Sequence, residues 1–231
     1  MNATNNPEKK GRELLISQLR AETAVDFTNH RLLDRIPWLF SDRSQYITWK
    51  SELAADLEVD PFMIVVVGSA ATGYSLAPQK NFSAFGQRSD IDTAVVSQRH
   101  FDEAWRWLRE LGPIRLLRRG SIEHDMLNWH RRNLVFDGAI ETDKLLPRLP
   151  FGAEWATGLG RAGKREPTIG RPVKIRLYRD FASLRQYHVA GITELKNQLD
   201  SVRADIPPVT LPQRDGDGTV TDAPTHPGDN S

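Results

Sequence analysis

Two aspartates one residue apart, Asp90-Ile91-Asp92, open an apolar run that continues through Thr93-Ala94-Val95-Val96. On a strand, positions i and i+2 project from the same face, so both carboxylates point one way while Ile91 points into the core. Like charges held on one face repel unless a cation sits between them, and hard oxygen ligands select Mg²⁺ or Mn²⁺. Upstream, another apolar run stops abruptly at Gly68-Ser69-Ala70-Ala71-Thr72-Gly73. Glycine there allows close backbone approach to an anion. The free amides of a helix start point at phosphate oxygens, and Ser69 adds a hydroxyl donor. Taken singly, the turn reads equally as an ordinary strand-to-helix connection with a serine cap, and Asp-x-Asp as an accidental pair. Together they describe a place for a phosphate chain and a divalent cation.

The elements that must position these residues alternate between helix and strand. Leu14, Leu15, Gln18 and Leu19 recur at helical spacing within 12–24, and Ile47, Leu53 and Leu57 do so within 43–58, where Asp42 is a natural N-cap. Phe62–Val67 is short, β-branched and apolar on both faces, as a buried strand requires. Residues 91–97 form a second strand, 101–111 and 121–133 two helices, and 147–172 a Gly- and Pro-rich loop. Val173–Tyr178 alternates apolar and polar residues as a half-buried strand does, and Asp180 caps a last helix carrying Leu184, Tyr187, Val189, Leu195 and Leu199. The sum is a mixed α/β domain with a small sheet. Its expected span is 12–205, preceded by a flexible N-terminus over 1–11. Residues 206–231, rich in Pro, Gly, Asp and Thr, offer little to bury and read as a disordered acidic tail.

An apolar strand, then Gly-Ser, then Asp-x-Asp opening a further apolar strand resembles the DNA polymerase β-like nucleotidyltransferase superfamily. That superfamily includes minimal nucleotidyltransferases, nucleotidyltransferase toxins and bacterial cyclic-oligonucleotide synthases. The resemblance covers 43–112 well and the remainder loosely. It implies an α/β (α+β) fold in which helices flank a small mixed sheet. It also implies transfer of a nucleoside monophosphate from ATP or another NTP to a hydroxyl acceptor, with release of pyrophosphate. Carried over by position, Gly68 and Ser69 hold the triphosphate and Asp90 and Asp92 ligate Mg²⁺ or Mn²⁺. A third carboxylate is usual on a later strand, yet the outward positions of Val173–Tyr178 are Lys174 and Arg176. Lys174 is then the residue expected to grip the triphosphate and assist catalysis, with Arg176 beside it. A third acid would come from Asp137, Glu141 or Asp143. The stretch Ala77–Arg88, with Phe82 and Phe85, is expected to loop out. The acceptor stays open among nucleotide, RNA, protein and small molecule, and the alternative is a catalytically inactive module of the same fold that binds nucleotide or RNA.

Other chemistries fail on the residues available. The 231-residue chain has no cysteine, which excludes disulfides, thiolate zinc sites and cysteine nucleophiles. Without Gly-Lys-Ser/Thr there is no P-loop, and Gly68 to Gly73 lacks the spacing of a dinucleotide fingerprint. In a haloacid-dehalogenase-type phosphatase the aspartates end an apolar strand; here they begin one. No pair among the six histidines shows zinc-ligand spacing with a third ligand nearby. The net charge of +1 divides into −3 on 206–231 and +4 on the rest, an excess that suits a phosphate-bearing ligand. Arginines 115, 118, 119, 131 and 132 form a basic cluster, either a solvated helix face or a contact for phosphates. Basic residues from Arg161 to Arg179 read equally as a mobile loop beside the site, able to close over a triphosphate or take a nucleic-acid strand, and as a disordered surface loop. Trp105 and Trp107 read as packing. With no bilayer-length apolar run and no apolar leader at the start, the expectation is a cytoplasmic protein without a membrane partner.

Overall fold

The computed structural model describes residues 7–143 and 145–204, so the expected acidic tail lies outside the described residues. Its centre is a four-stranded mixed sheet of β1 (Ile64–Val66), β2 (Ile91–Val96), β3 (Ala139–Glu141) and β4 (Val173–Tyr178), ordered β1-β2-β4-β3. β2 pairs antiparallel with β1 and parallel with β4, and β3 closes the edge antiparallel to β4. The mixed α/β class expected from the alternating pattern is therefore what the chain adopts. Among the described residues no helix is long and apolar enough to cross a membrane.

Alternation along the strands divides the sheet into two unlike faces. Ile64, Val66, Ile91, Val95, Ile175 and Leu177 point into the main core. There they meet Trp49 and Leu53 of α3 (Arg43–Leu57), Phe101 and Leu108 of α5 (Gln98–Glu110) and Trp155 of α7 (Gly152–Ala162). On the opposite face, Ala94, Val96, Ala139 and Tyr178 pack with Ala71 of the short helix α4 (Gly68–Thr72) and Leu184 of α8 (Phe181–Ala204). The same alternation sends Asp92, Lys174, Arg176 and Glu141 to this second face, where the apolar cover ends. α1 (Pro7–Ala21) begins within the segment assigned to the flexible N-terminus. With α2 (Ala24–Phe27) it buries Leu15, Leu19 and Phe27 against Ile192 and Leu195 of α8.

Local chemistry explains the helix starts. Asp42 accepts from Gln45 N at 2.9 Å, and Asp180 accepts from Ser183 N at 2.7 Å, as the sequence suggested. Ser97 and Ser121 accept from His100 N and His124 N to start α5 and α6 (Ile122–Asn133).

Four expectations are corrected. Phe62 is not in a strand: Pro61 and the Asp60 cap fold 61–63 into a 3-10 turn, leaving Phe62 exposed, and β1 starts at Ile64. The segment 147–172 holds α7 rather than loop alone, and Gly152, Gly158 and Gly163 serve close packing there; a Cβ on Gly158 would stand 2.8 Å from Asp56 Cβ of α3. Residues 77–88 do not loop out but fold back through a Tyr74–Ala84 bridge, burying Phe82 against α1 and α8 and Phe85 in the main core. The basic stretch after 160 is pinned: Arg161 and Arg165 grip Asp56, and Arg171 reaches the Gly86 and Ser89 carbonyls across the Phe85 ring.

Candidate active site

Where β1 ends, the chain turns over the start of β2. Val67 N donates to Asp92 O at 2.9 Å, fixing the two segments edge to edge. Gly68 follows with φ of +63°, and a Cβ there would lie 2.8 Å from Asp92 Oδ2. Only glycine combines that backbone angle with that approach. Ser69 comes next in α4, half-buried, its hydroxyl making no hydrogen bond among the described residues.

Asp90 stands immediately before β2 and Asp92 within it. The parallel register sets Asp92 opposite Lys174 and Ala94 opposite Arg176 on β4, and the antiparallel register sets Glu141 opposite Arg176. Lys174 Nζ lies 2.7 Å from Asp90 Oδ2 and 3.5 Å from Asp143 Oδ2. Arg176 holds Glu141 at 3.3 Å and the Tyr187 hydroxyl of α8, with its guanidinium over the Tyr187 ring. A recess of about 240 Å³ runs from Val67 and Gly68 past Asp92, Lys174 and Arg176 to Asp143, Glu141, Tyr178 and His188; Asp90 and Ser69 stand outside its lining, Asp90 joined to it through Lys174. Of the three acids considered as a third carboxylate, Glu141 and Asp143 reach the recess. Asp137 does not; it sits on the exposed turn before β3, the far end of that strand.

The electrostatics are those of an acidic site holding its own counter-ions. Asp92 is the exposed residue of β2, open to solvent at the mouth of the recess, with protein atoms crowded around the base of its carboxylate. This desolvation and the neighbouring Asp90 push its pKa up, against the pull of Lys174, Arg176 and Lys80. Its carboxylate has no hydrogen bond or ion pair among the described residues. Lys174 is shifted up, chiefly by its hydrogen bond to Asp90. At the floor, desolvation and then Arg176 lower the pKa of His188 to about 4, so it is neutral at physiological pH. Its Nε2 and the Arg176 Nε are buried without a partner among the described residues.

Asp90 and Asp92 fit a hard divalent cation in one particular way. Among the described residues no group of three His, Asp or Glu side chains is placed to share an ion, so a full protein cage is not formed. Mg²⁺ is ordinarily held by one or two carboxylates with phosphate oxygens and water completing its shell. An unpartnered Asp92 beside Asp90, with glycine leaving the flank open, suits that arrangement.

His188, Tyr178 and Tyr187 are site residues that the sequence reading did not find. Period-2 alternation from Lys174 through Arg176 does point to Tyr178, whereas nothing local marks His188, which arrives only because α8 folds back under β4. Two other histidines are structural: His100 packs between Phe151 and Trp155, and the ring of His130 bonds Met126 O and Glu141 O. The chain matches no protein-family model, no curated protein and no solved structure.

Proposed function

We propose that this chain is a metal-dependent nucleotidyltransferase of the polymerase β-like fold, moving a nucleoside monophosphate from an NTP to a hydroxyl acceptor. The observation that carries the reading is the Gly68–Asp92 approach, which sets a side-chain-free turn directly beside a paired carboxylate on one face of the sheet. In this reading Gly68 and Ser69 receive the β- and γ-phosphates. Asp90 and Asp92 hold Mg²⁺ or Mn²⁺, which when bound neutralises charge on the triphosphate. Lys174 turns from Asp90 toward the phosphates, and Arg176 stays buttressed by Glu141 and Tyr187.

Direction follows from in-line displacement, which puts nucleophile and leaving group on opposite sides of the α-phosphorus. With pyrophosphate leaving on the Gly68 side, the acceptor hydroxyl enters from the β4–β3 side. Its oxygen bonds to the α-phosphorus, the bond to the β-phosphate oxygen breaks, and the hydroxyl proton passes to Asp143 or Glu141. The contribution is positioning and charge neutralisation.

The deciding experiment is calorimetric titration of each NTP, with Mg²⁺ or Mn²⁺, into wild-type protein and the Asp90→Asn/Asp92→Asn double variant. It needs no knowledge of the acceptor. Metal-dependent binding that the double variant loses supports the reading; binding that survives the substitutions moves the pocket elsewhere. A second reading, an inactive nucleotide-binding module, is favoured by Lys174 already neutralising Asp90 as a resident cation would. It predicts nucleotide binding with no pyrophosphate released for any acceptor.

A further inference from the structure

Away from this recess, a groove of about 840 Å³ runs between α5 and α6, closed at one end by the turn before β3. Its walls are apolar, from Phe101, Leu108, Leu127 and Val135, and its rim carries Arg109, Arg131 and Arg179, with Asp102 also lining it. None of the three arginines has an ion-pair partner among the described residues. The Arg109 guanidinium instead lies 4.7 Å from the centre of the Trp105 ring, whose residue is 37% exposed. Phe136 projects from a tight turn at 95% exposure, a position no packing requirement explains.

The kind of positive charge is informative. All three basic residues lining the groove, Arg109, Arg131 and Arg179, are arginines and none is lysine; two of them belong to the stretch 81–143, which holds nine arginines, ten acids and no lysine. A surface that needed only positive charge would be served equally by lysine. Arginine adds a planar fork that matches phosphate oxygens and a flat face that stacks on rings. Guanidiniums interleaved with exposed aromatic rings along an open groove are the arrangement that binds unpaired bases and the phosphates between them. A duplex, whose bases are already stacked, would leave Trp105 and Phe136 unused.

We propose that the α5–α6 groove binds single-stranded nucleic acid, with phosphates on Arg109, Arg131 and Arg179 and bases against Trp105 and Phe136. The site is separate from the recess: Arg179 lies about 16 Å along the strand direction from Lys174, at the rise of an extended chain. It stands whether or not the nucleotidyltransferase reading does.

The test is fluorescence anisotropy of the full chain with labelled 12-mer oligouridylate, the matching DNA strand, and a duplex of the same length. Three phosphate contacts give a log–log salt slope of about −2, so binding should weaken roughly 20-fold between 50 and 200 mM salt. Phe136→Ala, at a side chain with almost nothing to lose in the fold, should weaken binding about 5-fold or more. An Arg109→Ala/Arg131→Ala/Arg179→Ala variant, its fold checked by thermal melting, should flatten the salt slope. Preference for RNA over DNA would assign a 2′-hydroxyl contact, and equal binding would assign the shared sugar–phosphate chemistry; both agree with the proposal. No binding to either strand, tighter binding to the duplex, or affinity indifferent to both variants would overturn it. So would displacement of the strand by oligoglutamate of equal charge at equal concentration, which would make the occupant an acidic protein segment.

Discussion

Replacing Gly68 by alanine tests the geometry on which the site depends. The added Cβ would stand 2.8 Å from Asp92 Oδ2 and 3.4 Å from Asp92 Cβ, on a backbone with φ of +63°. Left-handed backbone costs an L-residue with a side chain about 1–2 kcal/mol. For a domain of this length that corresponds to a melting-temperature drop of about 2–8 °C. The collision is additional, and it falls on one of the two carboxylates assigned to the metal, since Asp92 must swing away to admit the methyl group. Gly120→Ala supplies the control, because Gly120 has φ of +78° with nothing within 4 Å of its Cβ position. Both variants should lose comparable stability from the backbone, with Gly68→Ala losing more. Only Gly68→Ala should abolish metal-dependent NTP binding by calorimetry. If Gly68→Ala melted like Gly120→Ala and bound NTP like wild type, the close approach would have no consequence and the site assignment would fail.

Three further outcomes are expected. Lys174→Met should act oppositely on two ligands: Mn²⁺ alone should bind more tightly, because the competing ammonium at 2.7 Å from Asp90 is gone, while NTP should bind more weakly; calorimetric changes of the same sign would contradict the role given to Lys174. His188, with an ordinary value of 6.5 lowered to about 4 in the fold, binds its proton more readily when unfolded, so stability should fall as pH drops from about 6.5 through 4. The loss from this group should be on the order of 3 kcal/mol, and denaturant midpoints of His188→Gln should show a correspondingly flatter pH profile. Trp155→Ala should destabilise by about 3–5 kcal/mol in urea unfolding, since the ring is fully buried between α3 and α5 and its Nε1 donates to Leu57 O at 3.2 Å. A cost under 1 kcal/mol would mean that α7 is peripheral to the core.

What could be read along the chain was whatever depends on neighbours in sequence. Period-2 alternation placed Asp92 on one face and Ile91 on the other, and the same rule put Lys174 and Arg176 together on β4. Side-chain caps at Asp42 and Asp180 announced their helices because a cap acts within three residues. The same local reasoning misjudged glycine. Gly158 reads as a helix breaker, and only the crossing of α7 over α3 turns it into a packing position beside Asp56. It misjudged arginine as well, since Arg161, Arg165 and Arg171 look like a solvated run until Asp56 and the 77–88 arch arrive from far along the chain. Strand order was beyond it: β3, three residues long, carries too little pattern to announce itself, yet its pairing with β4 brings Glu141 to Arg176. That pairing, with the fold-back of α8 that seats His188 beneath the recess, is set by long-range packing of the sheet's second face. By itself, then, the sequence determined which side chains share a strand face and where helices begin, because those are properties of a few consecutive residues. The tertiary structure decided which acids meet Lys174, which glycine touches Asp92 and which arginines stay unpaired, because burial and charge compensation are settled only between segments distant in the chain.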